Sequence, residues 1–217
     1  MSITSPIPHT EPSRECDLCP RLEGVRQQCR ANFPDWWNAP VPALGDPDAW
    51  LAIVGLAPGK HGANRTGRAF TGDASGDLLW ATLSKFGFVE QREGEEFPQI
   101  KGVVILNAVK CLPPENKPTP EEIRTCRPHL EAALDAMPKA RTVLALGQIA
   151  HQSAVKAMGG KLPKLRFAHG AVHRVPDGRM LIDSYHCSRY NQNTGRLTQA
   201  MFDAVFIKAI ALSQAAQ

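Results

Sequence analysis

A chain of 217 residues with 43% hydrophobic and 21% charged side chains can bury a sizeable core, which excludes a disordered or low-complexity protein. Its formal net charge of +4 permits an acidic partner without demanding one, so the placement of charge matters more than its sum. No apolar run reaches membrane-span length, and the first fifteen residues carry no basic stretch followed by an apolar one. A cytoplasmic protein is expected, whose six cysteines are metal ligands, reactive thiols or apolar filler rather than disulfides.

Taken in chain order, residues 1–14 read as a flexible tail to one domain spanning 1–217. Cys16-Asp17-Leu18-Cys19 forms a C-x2-C pair. Residues 50–55 predict a buried strand, followed by a glycine-rich loop, GLAPGKHGANRTGRAFTGD, over 55–73. Residues 73–86 predict a helix with Leu78, Leu79, Leu83 and Phe86 on one side, and residues 103–106 a second strand. Thr119-Pro120-Glu121-Glu122 opens a helix: a capping threonine, proline in the first turn, glutamate three residues on. Residues 142–146 predict a third strand, followed by a helix to about Met158. A fourth strand falls at 180–182 and a closing helix starts at Gly195. This alternation predicts an α/β fold: a mostly parallel four-stranded sheet covered on both faces, with its ligand at the carboxyl ends of the strands.

The glycine-rich loop does not fit a nucleotide triphosphate. Only three residues separate Gly55 from Gly59, and Lys60 is followed by His61 rather than by the hydroxyl that would hold magnesium. Nor do the glycines give the dinucleotide fingerprint. Cys16, Cys19, Cys111 and Cys126 offer four thiolates, which suit tetrahedral zinc and an iron–sulfur cluster equally well. Cys29 reads as apolar filler, and Cys187 lies in a loop that carries His186.

Three stretches together resemble the type B, or family 5, uracil-DNA glycosylases. Gly55-Leu56-Ala57-Pro58, His61-Gly62, Asn64-Arg65-Thr66-Gly67-Arg68 and Phe70-Thr71-Gly72-Asp73 resemble the first motif. Leu106 to Cys111 resembles the middle one, and His186-Cys187-Ser188 with Asn193 to Thr198 the last. The four cysteines match the ligands of that family in order and spacing. The resemblance implies a three-layer α/β/α fold, a 4Fe–4S cluster with a structural role, and removal of uracil and other deaminated bases such as hypoxanthine from DNA in base excision repair. No protein partner follows from it, and a monomer is expected. Two departures stand out from related families. The first motif has Leu56 and Ala57 where relatives carry an acid or amide, which is what sets the type B group apart. The last has Cys187 where the wider superfamily has proline, and cysteine does not fix the backbone as proline does.

Within that resemblance the residue chemistry assigns roles. A glycosylase must flip the base out, hold it, and help it leave as an anion. Phe70 offers a face to stack on the base. Asn107 offers the donor and acceptor that uracil's O4 and N3–H require. His186 can donate to O2 as negative charge grows there. The turn Gly55-Leu56-Ala57-Pro58-Gly59 contributes backbone groups to the base pocket. Asp73 is the acid that remains to position or deprotonate water, set against a plain helix-capping role; Asn64 and His61 are weaker alternatives. Lys60 is not required as a nucleophile, so hydrolysis to an abasic site without strand cleavage is expected. Asn64, Arg65, Arg68, Arg189 and Arg196 are placed for phosphate contact, and Tyr190 as the wedge that fills the gap left by the flipped base. Two other readings stay open: an enzyme of the family 4 kind restricted to uracil, and a zinc-bearing nucleic-acid binding module without catalysis.

Overall fold

A computed structural model describes residues 5–91, 93 and 97–215. Among the described residues eight strands are present: β1 (Leu44–Gly45), β2 (Leu51–Gly55), β3 (Val89–Glu90), β4 (Gln99–Ile100), β5 (Val103–Asn107), β6 (Thr142–Leu146), β7 (Val172–Arg174) and β8 (Met180–Ser184). The helices are α1 (Pro20–Asn32), α2 (Ala63–Thr66), α3 (Ala74–Lys85), α4 (Pro120–Asp135), α5 (Gln148–Ala157), α6 (Arg189–Asn193) and α7 (Gln199–Ala215).

Six strands form one sheet in the order β1-β5-β2-β6-β8-β7, and β3 and β4 make a separate hairpin. The four strands expected from sequence are the four parallel ones, β5, β2, β6 and β8. The sheet is two strands wider than expected because β1 and β7 pair antiparallel on its two edges. Both are short and only partly buried, so neither shows the apolar run by which β2, β5 and β6 announce themselves.

Side chains on the parallel strands alternate between two cores. Leu51, Ile53, Ile105 and Leu144 point toward α3 and α7. Ala52, Val54, Leu106 and Val143 point toward α4 and α5. This is the three-layer arrangement. Helix α4 begins as its sequence dictates: Thr119 accepts from the Glu122 amide at 3.2 Å while Glu122 reaches back to the Thr119 amide at 2.7 Å.

Within the expected tail over 1–14, Ile7, Thr10 and Glu11 are anchored while Pro8, His9, Ser13 and Arg14 are exposed; residues 1–4 lie outside the described residues. Ile7 is 4% exposed and belongs to the core under α4. Glu11 holds the Ala43 amide at 2.7 Å and the Lys110 ammonium at 2.8 Å. The polar composition of this segment hides one buried apolar anchor and one buried ion pair.

From β2 the chain crosses to β5 on one side, and later enters β6 on the other. That reversal opens a crevice at the carboxyl ends of these strands. Gly55 and Asn107 terminate β2 and β5 there, side by side in register.

Candidate active site

A cleft of about 280 Å³ occupies this crevice, with Leu56, Phe70, Asp73, Asn107 and His186 among its walls. The sequence-predicted residues Asp73, Asn107, His186, Phe70, Leu56, Ala57 and Gly59 therefore meet in one place, although they come from three well-separated stretches of the chain. Gly55 lies beneath the cleft rather than on its surface, and Pro58 is buried behind it.

Asn107 is fixed by the end of the parallel ladder. Beyond it, the Ala108 amide donates to Gly55 O at 3.0 Å and the Val109 amide to Leu56 O at 2.9 Å, so the two motif loops leave the sheet tied together. Asn107 is 4% exposed, and its amide makes no hydrogen bond among the described residues. The amide faces the cleft, where it offers one donor and one acceptor to a ligand.

Phe70 is held at φ +52°, a conformation that costs a bulky residue about 1–3 kcal/mol. The surroundings impose it. Trp80 Nε1 donates to Phe70 O at 2.7 Å, and the ring lies against Gly55, where a Cβ would come within 2.7 Å of it and 3.0 Å of Asn107 Oδ1. Only glycine fits beneath the Phe70–Asn107 pair. The ring centroid of Phe70 is 6.3 Å from that of His186.

Asp73 divides its carboxylate between two tasks. Oδ1 caps α3, accepting from the Ser75 and Gly76 amides at 3.0 Å each. Oδ2 turns the other way, over the glycine-rich loop, where a Cβ on Gly59 would lie 3.1 Å from it. One oxygen is thus structural and the other is available to the cleft. Burial holds the His186 imidazole below its ordinary pKa, with the Asp73 charge acting in the opposite direction. The ring is neutral at neutral pH and carries a single N–H to donate.

Side-chain amides from α6 restrain the loop that carries His186, in which Cys187 does not fix the backbone. Asn191 Nδ2 donates to His186 O at 2.8 Å, and Gln192 Nε2 to Cys187 O at 2.7 Å. Gln192 Nε2 also reaches Ala74 O at 3.2 Å, joining this loop to the first turn of α3 beside Asp73. Ser188 caps α6 through the Asn191 amide at 3.3 Å. Cys187 is fully buried in the core, which pushes its thiol up to about 12. Asn191 and Gln192 escape a reading of the sequence because neither falls at a position whose spacing marks a role. Ser75 and Asn116 also line the cleft unannounced, beside Ser188 of the last motif.

The residues expected at DNA divide. Arg189 and Tyr190 open α6 beside the cleft and are exposed, Tyr190 at 71%. Arg65 is exposed and donates from Nε to His61 O at 2.9 Å. Arg68 lies over the Phe97 ring at 4.4 Å, and Arg196 over Tyr185 at 4.7 Å. Asn64 does not belong with them. It is 2% exposed and donates to Asn38 Oδ1 at 3.0 Å, so it braces the loop from inside instead of meeting DNA or water.

The four cysteines come together in a separate pocket that begins just past Asn107, at the exit of β5. Cys16, Cys19, Cys111 and Cys126 line one apolar pocket with Leu22, Val109 and His129. Burial first, and then neighbouring thiols, push Cys19 up to about 11 and Cys111 up to about 12. Burial also raises Cys126, although the Lys110 amide donates to its sulfur at 3.3 Å. Such thiols ionise only with a strongly electropositive group among them. Among the described residues no three of these sulfurs approach within 4.8 Å of one another. Four thiolates brought to one pocket can hold a metal centre. Arg26 and Lys110, both nearly fully buried, flank the pocket; Arg26 donates to Cys16 O at 2.8 Å.

A third polar cluster has no signature in the sequence. His151 Nδ1 meets Asp183 Oδ1 at 2.7 Å and His173 Nε2 lies 3.4 Å from Oδ2, behind the sheet. His151 Nε2 faces Leu165 O at 3.1 Å. With an acceptor on each side, the protonated form of His151 is favoured: burial draws its pKa down, but Asp183 and that carbonyl raise it on balance.

Comparison with known proteins gives the family. Residues 42–209 match the family model described as the uracil DNA glycosylase superfamily. The chain is 45% identical over 202 residues to the type-5 uracil-DNA glycosylase of Thermus thermophilus, covering 89% of this chain and 92% of that protein. It is 40% identical over 206 residues to the type-5 enzyme of Pyrobaculum aerophilum, covering 90% and 88%. Similarity to the type-4 uracil-DNA glycosylase of the same archaeon is 35% over 162 residues, covering 74% and 70%.

Proposed function

The chain belongs to the uracil-DNA glycosylase superfamily and groups with its type-5 members, and from that premise we infer that it excises uracil from DNA by hydrolysing the N-glycosyl bond. The observation that carries the mechanism is the convergence of an unpaired amide, a carboxylate oxygen and a neutral imidazole on one cleft at the ends of β2, β5 and β8.

The flipped uracil stacks on Phe70 and presents O4 and N3–H to the Asn107 amide. Water lies under Asp73 Oδ2, which orients it toward C1′ and takes its proton as the bond breaks. The electron pair leaves with the base, and His186 donates its N–H to O2, where the negative charge gathers. Leu56 and Ala57 carry no charge and only exclude solvent. An abasic site remains, for base excision repair. Arg65, Arg189 and Arg196 meet phosphates, and Tyr190 enters the gap in the stack. Hypoxanthine, whose N1–H and O6 repeat the pattern of uracil, is a second substrate. The protein works as a cytoplasmic monomer of one domain; among the described residues no helix is long and apolar enough to cross a membrane.

Cys16, Cys19, Cys111 and Cys126 would hold a 4Fe–4S cluster, which would tie the segment before α1 to the exit of β5 and to α4 and supply a structural link rather than a group for the hydrolysis.

The test is excision from matched oligonucleotides that carry uracil, hypoxanthine or cytosine, followed by alkali. Cleavage after uracil and hypoxanthine, with none after cytosine, is expected. Release of uracil alone would restrict the enzyme to the family 4 kind of specificity, and release of neither would contradict a glycosylase. A brown protein with broad absorption in the visible supports the cluster; a colourless zinc protein would contradict it.

A further inference from the structure

We propose that the groove between α1 and the 112–116 segment binds an unpaired nucleotide of the substrate strand, next in sequence to the one flipped into the cleft. The proposal rests on the glycosylase reading of that cleft. The groove encloses about 430 Å³, and Asn116 lines both cavities, so a strand passes from one to the other without leaving the surface. Phe33, Leu112, Pro113 and Pro114 supply apolar walls for a base, and the amides of Gln28 and Asn32 stand at its edges. An amide offers donor and acceptor alike, so any base is tolerated. Lys60 supplies the cation: it is exposed, its Nζ is 5.2 Å from the Phe33 ring centroid, and it has no ion pair among the described residues. The acid nearest the groove mouth, Glu115, is already matched by Lys117 at 3.2 Å.

The walls are braced before any ligand arrives. Phe33 stacks on Trp36 with centroids 4.1 Å apart, and Trp36 in turn meets the edge of His61 at 5.4 Å. Glu115 and Asn116 are both in the left-handed region, at φ +54° and +55°, which turns Asn116 back between the two cavities. Apolar and aromatic walls, polar amides and an exposed cation are the chemistry of single-strand recognition.

The experiment compares a uracil oligonucleotide that has nucleotides on both sides of the uracil with two that end just 5′ or just 3′ of it. Binding is read by fluorescence anisotropy and excision in single turnover. The wild type is expected to lose about tenfold in affinity when one particular side is removed, the scale of one stacked base. Lys60→Ala and Phe33→Leu should bind the long substrate about tenfold more weakly and the truncated one as the wild type does. Because Lys60 is exposed, its variant keeps the test valid if Phe33→Leu folds poorly. Indifference of the wild type to both truncations would overturn the groove, as would variants that lose equally on long and short substrates. Length-dependent binding without excision would instead overturn the glycosylase reading and leave the groove standing.

Discussion

The catalytic cleft and the cysteine pocket are held by opposite means. The cleft is fixed by backbone and short-range bonds: a parallel ladder that ends at Gly55 and Asn107, a helix cap on Asp73 Oδ1, and two α6 amides on the carbonyls of His186 and Cys187. Its functional groups are positioned by the chain alone. The cysteine pocket is assembled from three distant segments, and its thiols are raised by burial and by one another. Such a set of groups is complete only with a metal centre among them. The catalytic groups proposed above therefore lie where the chain holds them by itself, and the four thiols lie where a metal centre would complete them.

Breaking the pocket should produce the largest effect, and should spare the chemistry except through folding. Cys126→Ser is expected to lose the brown colour and about 3–5 kcal/mol, roughly 10 °C in melting temperature for a chain of this size. Wild-type absorption and melting in that variant would remove Cys126 from the ligand set.

Breaking the cleft should do the reverse. Asn107→Asp removes the donor that meets O4, and uracil excision should fall about 10²–10³-fold. A weak activity on cytosine should appear, because a carboxyl group accepts from N4 and, when protonated, donates to N3. Hypoxanthine removal should decline in step with uracil. An unchanged uracil rate would move base reading to backbone groups of the 56–59 loop.

Gln192→Ala sharpens the comparison, since this side chain joins the loop of His186 to the helix that Asp73 caps. Losing hydrogen bonds of about 1 kcal/mol each should lower kcat around tenfold and leave KM nearly unchanged. A loss confined to melting temperature would make Gln192 a purely structural residue.

The smallest effect belongs to the His151–Asp183 pair, which serves neither region. Its folded pKa lies above the unfolded value of 6.5, so its stabilisation is complete below that pH and is lost as pH rises through the folded pKa. Melting temperature should decline from pH 6.5 upward, and Asp183→Asn should flatten that slope. An equal slope in both proteins would show that another group titrates.

The sequence displayed the parts of the molecule that depend on local pattern. Buried runs marked the four parallel strands, and Thr119 to Glu122 marked the start of α4. The motif loops delivered Phe70, Asp73, Asn107 and His186 to one cleft. Parts that depend on long-range partners stayed hidden. Edge strands β1 and β7 are too short to show a period. Ile7 and Glu11 look like tail residues until the core and Lys110 reach them. Asn64 sits in a polar motif, and only the fold shows Asn38 closing over it. Asp73 was open between cap and catalyst because a sequence does not distinguish two oxygens of one carboxylate.

That division makes Asp73→Asn the most direct test of the mechanism. Asparagine keeps Oδ1 and caps a helix as well as aspartate does, so α3 and the melting temperature should be preserved. An amide nitrogen in place of Oδ2 cannot take a proton from water. Measured in single turnover with enzyme saturating over a uracil duplex, the excision rate is predicted to fall about 10²–10⁴-fold with affinity for the duplex nearly unchanged. A variant that melts normally and excises uracil at close to the wild-type rate would contradict it and leave Asp73 as a helix cap alone.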